Sequence, residues 1–191
     1  MESLKSEKYR LRDSERLLDS KGDKMNFINK LHLAMIEYYK GDAKRIQHFC
    51  KVHSYAKLIA ETEEVGEDCL FIIEAAALTH DIGIHLCEEK YGQCGGKLQE
   101  KEGPVLAKKL LDELKFDSKV SERVQYLIAH HHTYQNIDGI DYQILVEADF
   151  LVNIYEDHLP KEAAINAYHN IFKTECGKKI CREMFEFEDC L

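Results

Sequence analysis

The stretch AAALTHDIGIHLC, Ala75 to Cys87, begins as an almost unbroken apolar run and ends by setting an imidazole beside a carboxylate, His80 and Asp81. Its first half reads as a buried helix. Its neighbours on both sides carry the same 3.6-residue period rather than the alternation of strands. From Asp23, a candidate N-cap, to about Tyr39, the residues Phe27, Ile28, Leu31, Ala34 and Met35 recur at helical spacing. Further helices are expected over about 43–61, 68–81, 103–114 with Pro104 in its first turn, 117–132, 142–158 and 161–172. The glycine-rich segment HLCEEKYGQCGGKLQEKEG, His85 to Gly103, reads as a loop beside a site. The fold class is therefore all-α, a single compact helical bundle. Its core is expected over 43–160, with 1–42 as a helical extension packed on it and 161–191 as a C-terminal helix and tail of the same domain.

Composition narrows the functional classes. A chain of 191 residues with 45% hydrophobic content can bury one good core. A formal net charge of −9 argues against long nucleic acid as a partner, since a backbone binder shows a basic stripe. With no run of eighteen apolar residues and a charged N-terminal stretch, no membrane partner and a cytoplasmic location are the expectation. Seven cysteines, an odd count in a chain this size, read as reduced thiols.

Other histidines and carboxylates share the orientation of His80. His48 is in register with Val52, Tyr55 and Ile59, on the buried stripe of its helix, whereas His53 is off it. Val120, Val124, Leu127 and His131 share a face, with His132 at its edge and His130 turned further away. Asp149 stacks with Leu145 and Val152, aiming a carboxylate into an apolar face, where an unpaired charge is costly. Any one of these has a plain structural explanation, such as a hydrogen-bonded core histidine or a carboxylate met by backbone amides. Together, on helices that bring their inward faces together, they make a donor set suited to a divalent cation. Two imidazoles and two carboxylates fit manganese, iron, cobalt, nickel or zinc better than calcium. Arg45, one turn before His48, and Lys97 in the glycine-rich segment are candidates for gripping a phosphate.

The order His48, His80-Asp81, Asp149 resembles the HD superfamily of metal-dependent phosphohydrolases. Flanking matches support it: Arg45 and Val52 around the first histidine, Val124, Ile128 and His131 as V-x-x-x-I-x-x-H, and ILVEAD ending in Asp149. The resemblance spans about residues 43–160. It implies an all-helical fold in which His48, His80, Asp81 and Asp149 bind one divalent ion, with Asp81 orienting the attacking water. In two-metal members, further histidines hold a second ion bridged by the HD aspartate; His85, His130 and His131 are the candidates in this chain. It has KEGP, with Glu102, where many such members place a histidine before a glycine, so Glu102 stands as an alternative ligand or proton handler, with His131 as a second candidate acid. The implied activity is hydrolysis of a phosphomonoester or phosphodiester, with a nucleotide or related small metabolite as substrate. A diiron oxygenase and a non-catalytic nucleotide- or metal-sensing module are the alternatives.

Overall fold

A computed structural model describes residues 20–188, which form nine helices with no strand among the described residues. These are α1 (Ser20–Tyr38), α2 (Ala43–Thr62), α3 (Glu67–Thr79), α4 (Ile84–Tyr91), α5 (Gly96–Glu113), α6 (Ser118–Ile128), α7 (Ile140–Glu156), α8 (Lys161–Asn170) and α9 (Glu175–Phe185). The charged stretch 1–16 and the chain end 189–191 lie outside the described residues.

The bundle is organised around α3. From Ile73 to Thr79 every residue of this helix is buried, and α1, α2, α6 and α7 all pack against it. So apolar a helix has to be surrounded, its one carboxylate in this run, Glu74, being paired with His53 and Lys57, and the small side chains Ala75, Ala76 and Ala77 let its neighbours approach closely. α7 is almost as enclosed, buried continuously from Asp141 to Asp149. The 25-residue stretch Glu67–Tyr91 has the length and mean hydropathy of a membrane span, but 61% of its most apolar window is buried within the protein. The core it helps to form runs from Ile28 on α1 to Cys181 on α9.

Local chemistry fixes the helix ends that matter to the site. Asp42 caps α2 by accepting from the Arg45 amide at 3.1 Å, and Asp117 caps α6 by accepting from the Lys119 amide at 2.8 Å. α1 is already helical at Ser20, the first described residue, so Asp23 lies inside the helix and not at its cap. The main departure from expectation is at 85–103, which is largely helical: most of α4 and the N-terminal part of α5 occupy it, joined by a short turn that starts at left-handed Gly92. The glycines of GQCGG end one helix and precede the next, while Leu98 to Glu102 are good helix formers. Pro104 is consequently the ninth residue of α5 and not in its first turn. The stripe that α5 buries is Glu100, Gly103, Ala107 and Leu111.

Gly83, just after the HD pair, has an ordinary right-handed backbone (φ −76°, ψ −14°), so it is not there to turn the chain. It is there for space: a Cβ would sit 3.0 Å from the Gly103 amide nitrogen. The two glycines let α5 lie directly against the turn that carries His80 and Asp81.

At the other end of the molecule, the tail beyond 173 forms α9, amphipathic and packed on α8, α7 and α2. Its anchor is Glu147 of α7, fully buried, which accepts from the Lys173 amide (2.6 Å), the Thr174 amide (3.0 Å), the Gln143 carboxamide (2.7 Å) and the Thr174 hydroxyl. Glu147→Ala leaves two backbone amides without an acceptor. It is expected to cost roughly 3 kcal/mol, read as a lowered midpoint in urea unfolding of the metal-free protein.

Candidate metal centre

His48 comes from the middle of α2, His80 and Asp81 from the turn closing α3, and Asp149 from the middle of α7. Their side chains meet in the interior. The Nε2 atoms of His48 and His80 are 3.2 Å apart. Asp81 Oδ2 is 3.4 Å from His48 Nε2 and 3.5 Å from His80 Nε2; Asp149 Oδ1 is 3.3 Å and 3.5 Å from the same two atoms. Donor atoms around one ion at about 2.0–2.2 Å stand roughly 3.0–3.5 Å from each other. The observed separations have that size.

The direction of the lone pairs supports the same reading. His48 Nδ1 faces the Glu156 carboxylate at 3.0 Å, and His80 Nδ1 faces the Ala77 carbonyl at 2.9 Å. Both partners only accept, so both Nδ1 atoms carry the hydrogen and both Nε2 atoms present lone pairs to the centre. Asp149 Oδ1, buried, has no hydrogen-bond partner among the described residues. Lone pairs facing lone pairs in a buried space require a positive charge between them. The residues present therefore fit a divalent cation.

Without a metal, a proton fills that role. Burial alone would lower His80, but the Asp81 and Asp149 carboxylates outweigh it and raise its pKa to about 9. Burial pushes Asp81 up, yet His80, His131 and His48 hold it down at about 2, and the two imidazoles keep Asp149 well below the usual carboxylate range.

His131 stands 3.6 Å from Asp81 Oδ1, its Nδ1 donating to the Ile128 carbonyl at 2.7 Å. α6 ends at Ile128, earlier than periodicity suggests, and the three histidines occupy the turn that follows. This places His132 beside His131. Asp81, His131 and His132 form a second group of donors within 4.8 Å of one another, sharing Asp81 with the first. Gln99 Oε1 of α5 lies beside both imidazoles, 3.3 Å from His131 Nε2 and 2.9 Å from His132 Nε2. Burial, then the neighbouring His131, lowers His132 to about 4, so it is neutral around pH 7.

His85 and His130 do not join this group. His85 bonds to Asp42 at 3.2 Å, and His130 donates to the Tyr126 carbonyl with its ring against Tyr126. Glu102 is also elsewhere: it lies off the buried stripe of α5 and accepts from Lys90 at 3.1 Å and Tyr91 at 2.6 Å. Lys97 is 79% exposed and spans Glu100 and Thr133. The Lys97 assignment depended on treating 85–103 as a loop, whereas that of Glu102 came from its place in KEGP.

A cavity of about 380 Å³ opens over the tetrad. Its walls include Lys44 and Arg45 from the first turn of α2, Cys94 and Gln99, His132, and Asn153 and Glu156 from α7. Arg45 is on the wall as expected, but Asp42 and Glu88 hold its guanidinium. Burial alone would raise Glu156, but the hydrogen bonds from Lys51 and His48 outweigh it and hold its carboxyl low. Sequence reasoning missed Gln99, His132 and Glu156. Glu156 was within reach, since Leu145, Asp149, Val152 and Glu156 continue one stripe at i, i+4, i+7 and i+11.

The HD domain family matches residues 45–173, well over half of the chain, and the chain belongs to that family. A crystal structure of a predicted HD superfamily hydrolase from an uncultured Thermotogales bacterium has the same fold, with a TM-score of 0.61 and 24% identity over 83% of this chain and 85% of that one. No curated protein matches.

A raised His80 stabilises the metal-free fold fully below its ordinary value of 6.5, and this contribution disappears as pH rises towards 9. Metal-free protein is therefore expected to lose thermal stability between about pH 6.5 and 9. Ion-loaded protein is expected to hold its melting temperature over that window, because the cation replaces the proton. Differential scanning calorimetry with and without chelator checks this.

Proposed function

We propose that this chain is a metal-dependent phosphohydrolase acting on a small phosphorylated metabolite, a nucleotide or a compound of similar size, as mono- or diester. The observation that carries the reading is the orphaned Asp149 oxygen among convergent lone pairs, directly below an open cavity walled by Lys44 and Arg45. When bound, a divalent ion (manganese, iron, cobalt, nickel or zinc) supplies a Lewis acid and a water of lowered pKa.

The chain's own residues then divide the work. Asp81 offers Oδ2 to the ion site and keeps Oδ1 towards His131, which braces the carboxylate in the orientation needed to align the attacking water. Lys44 and Arg45 face the cavity from the α2 N-terminus, where helix geometry also favours an anion. Lys44 is exposed, whereas Arg45 has to exchange a carboxylate for the phosphate. His132, neutral, is a hydrogen-bonding wall and not an acid.

A second reading rests on the shared Asp81. The group Asp81, His131 and His132 offers places for a further ion, which keeps a diiron oxygenase as the alternative enzyme class. About two irons per chain with a visible charge-transfer band would favour it; nucleotide binding without turnover in any metal would favour a sensor.

The test is a panel of phosphoesters, from chromogenic mono- and diesters to common nucleotides, offered to metal-stripped protein reloaded with each ion separately. Ion-dependent phosphate release or diester cleavage is expected, falling by at least about 10²-fold in Asp81→Ala. Lys44→Ala and Arg45→Ala are expected to raise KM about tenfold with a smaller change in kcat. Turnover retained in Asp81→Ala would sink the proposal.

A further inference from the structure

The three buried imidazoles that point at Asp81 or Asp149 are oriented in two different ways. His80 and His131 stand at the C-terminal ends of α3 and α6, where carbonyl groups of the last turn lack helical partners, and each gives its Nδ1 hydrogen to one of them: Ala77 at 2.9 Å and Ile128 at 2.7 Å. His48 stands in the interior of α2, where the carbonyls are taken by the helix itself. It has to find its acceptor on another element, and finds Glu156 of α7, Oε2 at 3.0 Å.

α7 therefore faces both nitrogens of one imidazole. Asp149 Oδ1 is 3.3 Å from Nε2, and Glu156, two turns later on the same face, takes Nδ1. The second oxygen of Glu156 accepts from Lys51 Nζ at 2.9 Å, one turn after His48 on α2. Lys51 also lies over the Tyr155 ring at 5.6 Å, which fixes the direction of the ammonium.

We propose that Glu156 is a positioning residue for the ion site: it locks His48 in the Nδ1–H tautomer and aims the Nε2 lone pair at the ion, with Lys51 steadying the carboxylate. Glu156 binds neither ion nor substrate in this role. The proposal rests on reading the tetrad as a metal centre. Carboxylate partners of this kind make a ligating imidazole more basic and commonly change metal affinity by about 10–100-fold. A helix-end carbonyl performs the same service for His80, so Glu156 affects one ligand selectively.

The experiment uses the full chain and the variants E156A, E156Q and K51M. Nitrogen-15 spectra of the metal-free proteins at alkaline pH, where the ring is neutral, report the His48 tautomer. Competition between the protein and a chromophoric chelator for manganese and for zinc reports affinity, and circular dichroism with thermal melting reports the fold. Wild type and E156Q are expected to show the Nδ1–H form, because a carboxamide oxygen still accepts. E156A is expected to show a tautomer mixture, to bind either ion about 10–100-fold more weakly and to stay folded, with K51M in between. Wild-type affinity in E156A, or weakened binding with the tautomer unchanged, would overturn the proposal and leave Glu156 a packing residue. Should E156A not fold, the proposal stands or falls on K51M and E156Q by the same two readouts. A wild type that takes up neither ion overturns the metal-centre reading as well, and differs visibly from the case in which wild type and E156A load equally.

Discussion

Two carboxylates, half-buried Asp81 and fully enclosed Asp149, stand 3.3–3.5 Å from the same two imidazoles, and among the described residues no lysine or arginine pairs with either. Placing such charge away from water is unfavourable by an amount comparable to the whole stability of a domain unless it is matched. The match available is a cation or protons on the histidines, and the helices are arranged so that either can take the place. α3 has to be enclosed on every side to bring its C-terminal end to the centre, and its one carboxylate in that buried run, Glu74, is paired with His53 and Lys57. α2 and α7 have to cross it with their inward stripes interrupted by His48 and Asp149. The local disadvantage of polar groups in the core is thus spread over three helices that are otherwise well packed.

Much of this was legible in the sequence because it is written in helical register. His48, His131 and Asp149 could each be assigned to a buried stripe by counting, and the structure buries all three, His131 in the turn beyond α6, with His80 and Asp81 at the end of the apolar run. Legibility stopped at 85–103. Four glycines in nineteen residues and a nearby proline look like a loop, yet the glycines serve to end α4 and to let α5 approach the HD turn. A helix mistaken for a loop has no faces, so Gln99 could not be seen turning towards the site, nor Glu102 and Lys97 turning away. The end of α6 was a smaller failure of the same kind. The helix stops at Ile128, so the three histidines sit in the turn after it, yet the order read from register survives: His131 inward, His132 beside it and His130 turned to Tyr126.

The site also shows why helix ends recur at such centres. A terminal carbonyl is an acceptor already paid for by the geometry of the helix, and His80 and His131 each use one. Mid-helix His48 has no such neighbour and depends on a side chain from across the bundle.

The positions of the donors along the chain have a further consequence. A cation held between His48 and Asp149 joins points about a hundred residues apart, and so acts as a reversible cross-link around α3, α4, α5 and α6. By the loop-closure relation for a covalent bridge of that span, such a link removes conformational freedom worth roughly 4–5 kcal/mol from the unfolded chain. α8 and α9 lie outside the ring. Loading the ion thus closes the segment between His48 and Asp149 into a ring, while α1 at one end and α8 and α9 at the other are held to it by contacts of their own.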